Sequence, residues 1–185
     1  MQRAPLAEQQ IATALDQAEP GLRKYLWIMQ RVHRCDVRFD AEFQRTYNDF
    51  YKVRQNDVWR RSYYDVLEHA KTTPMTFSDA LRAIHSATDV VAPSFASKLV
   101  ATLDPSLPVW DRHVLDNLGL RAPYHYQRDR VERCERTYTE LLQRMTELVA
   151  SPEGQRICAA FARRYPAVGI TDMKRVDLVL WRIRA

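Results

Sequence analysis

Lys98 and Asp111 stand 13 positions apart in SFASKLVATLDPSLPVWDRHVLDNLGL, residues 94–120, with two prolines between them. Pro93 reads as the end of one helix and Ser94 as the cap of the next, which places Lys98 on the first turns. There the positive end of the helix dipole and the apolar neighbours Phe95, Leu99 and Val100 would favour a nucleophilic amine. Asp111 opens the following helix, DRHVLDNLG, which Gly119 closes. An amine can capture an electrophilic carbon covalently, and a carboxylate can stabilise a positive charge that develops beside it. Taken locally, Asp111 is equally well a simple N-cap and Lys98 a solvated lysine.

The elements that would position this pair are helical. Only 4 glycines occur in 185 residues, and runs of alternating β-branched residues are few, which argues against a hairpin-rich β fold. PLAEQQIATALDQAEPG aligns Leu6, Ile11 and Leu15 and is expected to stop at Pro20-Gly21, with LRKYLWIMQRVHR as a second helix. Phe43, Tyr47, Phe50 and Tyr51 share helical spacing. RQND then breaks the chain, with Asp57 expected to cap the helix carrying Trp59, Tyr63 and Tyr64. Thr76 and Asp79 form a capping box ahead of Phe77, Leu81 and Ile84. YQRDRVERCERTYTELLQRMTELVA is a long amphipathic helix, Ser151-Pro152 starts the next, and Thr171 starts the last. The expectation is an all-α protein, a single helical domain over 1–185 that also fits two helical lobes around a cleft, with a hairpin-like motif at 89–120.

The formal net charge is +5, and most of the 28 basic residues are arginine, which suits bidentate phosphate contacts. No apolar run approaches a membrane span and MQRAPLAEQQ lacks a signal-peptide core, so a cytoplasmic protein, nucleoid-associated in a bacterium, is expected. Cys35, Cys134 and Cys158 are far apart and odd in number, which suggests buried thiols rather than disulfides or a metal site. His33, His69, His85, His113 and His125 never fall at a compact ligand spacing, so neither a metal nor a cofactor is expected.

The 94–120 stretch resembles the helix-hairpin-helix DNA glycosylase superfamily, which includes endonuclease III and the 8-oxoguanine glycosylases. Its pattern LPGVGxK is met here by APSFASK, its PVDxHV turn by PVWDRHV, and its helix end by LDNLGL. The resemblance covers about 30 residues. The hairpin glycines are replaced by Ser94 and Ala96, the Lys98 to Asp111 interval is shorter than the family's, and Trp110 displaces the proline register by one position. The four cysteines of the cluster-bearing subfamilies are missing.

The resemblance implies that Lys98 attacks the anomeric carbon and forms a Schiff base. It likewise implies that Asp111 assists that nucleophile and stabilises charge on the sugar, and that His113 contacts the DNA backbone. Ser94, Ala96 and Ser97 of the hairpin, with Arg112 and His113, are then the DNA-binding set. A duplex base must be extruded before it can be excised, which calls for an apolar or aromatic pocket with a basic rim. Tyr47, Arg54 and Trp59 are the pocket candidates, although aromatics at helical spacing are also what a core stripe looks like. The implied function is a DNA glycosylase with AP-lyase activity, its partner duplex DNA carrying a damaged or modified base. The alternatives are a DNA-base modifying enzyme on the same scaffold and a non-catalytic DNA-binding module.

Overall fold

A computed structural model describes residues 4–184. Among them the regular structure is entirely helical: α1 (Glu8–Arg31), α2 (Ala41–Tyr51), α3 (Asp57–Ala70), α4 (Phe77–Thr88), α5 (Pro93–Leu103), α6 (Arg112–Asn117), α7 (Arg130–Ala150), α8 (Pro152–Arg164) and α9 (Asp172–Leu180). No described helix is long and apolar enough to cross a membrane. The chain divides into two compact units, Pro20–Asp104 and Met1–Glu19 with Pro105–Ala185.

The first unit is organised by aromatic rings. Phe43, Tyr47 and Tyr51 recur every four residues on α2 and are buried with Phe50. From α3 come Trp59, Tyr63 and Tyr64, also buried. α4 packs on both α3 and α5. The starts of these helices are set by side-chain caps. Asp40 accepts from the Glu42 and Phe43 amides, and the Thr76–Asp79 capping box is complete in both directions. Asn56, not Asp57, caps α3: its side chain accepts from the Trp59 amide at 2.9 Å. That leaves Asp57 in the first turn, where it faces the helix dipole and pairs with Arg60.

In the second unit α9 packs against α6, α7 and α8. Cys134, Tyr138, Leu141 and Met145 form the buried stripe of α7, Ile157 and Phe161 that of α8. Ser151 accepts from the Gly154 amide with Pro152 in the first turn behind it, and Thr171 accepts from the Lys174 amide. Gly119, at φ 68, takes the left-handed conformation just beyond α6.

Two sequence expectations fail at prolines. The stop at Pro20-Gly21 is absent, and α1 runs through it. Proline removes one helical hydrogen bond, at a cost of about 3 kcal/mol. Ile11, Leu15, Ala18, Leu22, Tyr25 and Ile28 nevertheless form one continuous buried stripe. Each large member contributes about 1.5–3 kcal/mol, enough to keep the helix intact. Pro93, read as an end, is instead the first residue of α5, where a missing N–H costs nothing. Ala92 stands at the cap with no side-chain bond, so Ser94 is not the cap. Of the thiols only Cys134 is buried; Cys35 and Cys158 are half-buried.

Candidate functional site

Lys98 lies in the middle of α5 rather than at its start. Its half-buried ammonium donates to the Tyr51 carbonyl at 3.1 Å. It also stands 4.8 Å from the Phe95 ring centroid and 5.9 Å from that of Tyr51. Tyr51 is the final residue of α2, so this carbonyl belongs to the negative end of that helix. The charge is therefore met by a carbonyl and two ring faces, all of which attract a cation.

The pocket candidates Tyr47 and Trp59 fall in the same aromatic cluster. Tyr47 is 4.7 Å from Tyr51 and 6.0 Å from Tyr63 between centroids. Trp59 stacks on Tyr63 at 5.2 Å and approaches Phe95 at 4.8 Å. Tyr63 donates to the Phe95 carbonyl, so the 2.6 Å contact between the Tyr47 and Tyr63 hydroxyls is donated by Tyr47. Burial pushes both phenols well above their ordinary range, so they stay protonated donors. Tyr47 is wholly buried within this cluster. The Trp59 indole Nε1 is buried and has no hydrogen-bond partner among the described residues. Arg54 is exposed on the segment between α2 and α3.

No protein-family model matches the chain, and no curated protein or solved structure matches it either.

Asp111 belongs to the other compact unit. It caps α6, its Oδ1 accepting the His113 amide at 2.8 Å. The Asp111 side chain is half-buried. His113 is half-buried, and its carbonyl accepts from Asn117 at 2.8 Å. Arg112 is exposed and 3.6 Å from Asp116.

The hairpin set is mostly inward-facing. Ala96 and Ser97 are wholly buried, and the Ser97 hydroxyl donates to the Ser94 carbonyl at 3.0 Å. Ser94 is half-buried. An α-helix in place of a glycine turn directs these side chains into the core.

Sequence reasoning missed Lys174 and Asp177 beside the Asp111 locus. They pair at 2.6 Å with both side chains under a tenth exposed. Burial pushes the Asp177 carboxyl up, the Lys174 ammonium pulls against that, and the nearby Asp111 charge adds to the upward push. The signal was available: in DMKRVDLVL an ion pair at i and i+3 sits on the same stripe as Met173, Val176 and Leu180. Also missed were the exposed Tyr124 and Tyr126 between α6 and α7.

Proposed function

We propose that the protein is a DNA glycosylase-like enzyme with associated AP-lyase activity, Lys98 supplying the amine and Asp111 a carboxylate. The observation that carries this reading is the setting of Lys98. A half-buried amine lies over Phe95, in a ring cluster whose Trp59 N–H has no acceptor among the described residues. Loss of a base from deoxyribose leaves positive charge on the sugar, and the motif resemblance assigns its stabilisation to the Asp111 carboxylate. The Lys98 ammonium first gives up a proton to solvent, the free amine attacks C1′ of the abasic aldehyde, and water leaves, forming an imine. Loss of a C2′ proton expels the 3′ phosphate, and the strand is cut. The net positive charge and the motif resemblance over residues 94–120 support DNA as the substrate.

A second reading, a non-catalytic DNA-binding module, is favoured by the carbonyl and ring faces around Lys98, which attract its charged, non-nucleophilic form. Reduction with borohydride on DNA carrying an abasic site separates the two. A covalent adduct is the result expected of the lyase. Duplex binding with a steep salt dependence and no adduct would replace it with the second reading.

A further inference from the structure

The segment RAPYHYQRDR, residues 121–130, takes no part in that chemistry. Tyr124 and Tyr126 are 60% and 71% exposed. Their rings are parallel, 9° between planes with centroids 5.5 Å apart, and His125 stands edge-on to Tyr126. The turn is closed from both sides: the Tyr124 amide donates to Gln127 Oε1 at 3.1 Å, and the Gln127 amide donates to the Tyr124 carbonyl at 3.4 Å. The rings are thus held out by a tied turn, with apolar faces left in water.

The surrounding charge is positive. Within the segment Arg121, Arg128 and Arg130 outnumber the one carboxylate, Asp129, which is already engaged by Arg133 at 2.8 Å and approached by Arg136 at 3.9 Å. Among the described residues no carboxylate pairs with Arg121 or Arg128, and both are exposed. A ligand that suits this surface must offer flat apolar faces and negative charge together. Unpaired nucleobases on a phosphate backbone do so; a duplex hides its base faces except at its ends.

We propose that residues 121–130 form a binding site for single-stranded nucleic acid, with bases stacking on Tyr124 and Tyr126 and phosphates pairing with Arg121 and Arg128. The site does not depend on whether Lys98 reacts. Fluorescence anisotropy with labelled oligodeoxyuridylate, oligouridylate and a duplex of equal length tests it. Tyr124→Ala with Tyr126→Ala should weaken single-strand binding by about tenfold or more and duplex binding by less than about twofold. Replacing both with Trp should retain it. Arg121→Ala with Arg128→Ala should lower the salt slope by about 1.4, the value for two single-strand phosphate contacts. Equal affinities for the two single strands mean that base and backbone are read without the 2′-hydroxyl, and a preference names DNA or RNA as the source; either supports the site. The proposal is overturned if the wild type binds no oligonucleotide, if the double alanine variant binds as the wild type does, or if duplex binding falls equally. Self-association that the alanine variant loses in sedimentation, with oligonucleotide affinity unchanged, would instead make the surface an interface between copies. The substituted rings are exposed, so unchanged circular dichroism and thermal unfolding should accompany each variant.

Discussion

The Lys98 ammonium donates to the Tyr51 carbonyl, and the return connection runs from the Tyr51 hydroxyl through Thr102 to the Lys98 carbonyl. Thr102 has one proton and donates it to Lys98 at 2.6 Å, so the 3.2 Å contact with Tyr51 is donated by the phenol. The end of α2, where Lys52 turns to φ 55, therefore sets the position of the amine.

Tyr51→Phe removes the phenol from this clasp but leaves the carbonyl that receives Lys98. Urea denaturation should show a loss of about 1 kcal/mol, the net worth of one hydrogen bond. Borohydride trapping should persist in the variant. Its disappearance while the fold is retained would mean that the carbonyl does not hold the amine alone.

The buried Lys174–Asp177 pair separates two kinds of substitution. Lys174→Met leaves a buried carboxylate uncompensated and should cost about 3–5 kcal/mol, whereas Lys174→Met with Asp177→Leu should be near neutral or stabilising. The pH dependence has a definite sign. A carboxyl pushed up in the folded state contributes stability that is complete below its unfolded pKa, about 3.9, and is lost as pH rises through the folded value. Relative to Asp177→Asn, the wild type should therefore lose stability from about pH 4 upward. A relative gain over that range would contradict the direction.

Gly154 sets helix propensity against packing. In α8, alanine for glycine should stabilise by about 1 kcal/mol on propensity alone. A Cβ at 154, however, would overlap the Leu148 carbonyl oxygen and lie 2.8 Å from Val149 Cα, both of them backbone at the end of α7. Overpacking against backbone costs about 1–3 kcal/mol or more, so Gly154→Ala should lower the melting temperature. An unchanged or higher melting temperature would show that the α7–α8 junction yields freely.

These elements also show what a single sequence discloses. The Thr76–Asp79 box, Ser151-Pro152, Thr171 and Gly119 were legible because each is decided within about four residues of chain. Pro20 was misread because its outcome depends on a buried stripe far longer than the proline's own surroundings. Pro93 was read as the end of one helix and is instead the first residue of the next, because a proline at that position gives up no helical hydrogen bond. Tyr47 and Trp59 were named for a pocket, and both belong to the aromatic cluster that includes Phe95 and Tyr51 beneath the Lys98 ammonium. The Lys98 setting itself was out of reach, because Tyr51 is 47 residues away along the chain. Lys174 and Asp177 were within reach, as charges inside an apolar stripe.

Incubation with an abasic-site oligonucleotide under borohydride, followed by mass spectrometry of the protease digest, addresses Lys98 directly. The lyase account predicts a reduced adduct on the peptide that contains Lys98, absent from Lys98→Ala at matched folding and DNA affinity. No adduct on the wild type, or an adduct that persists in Lys98→Ala, would contradict it.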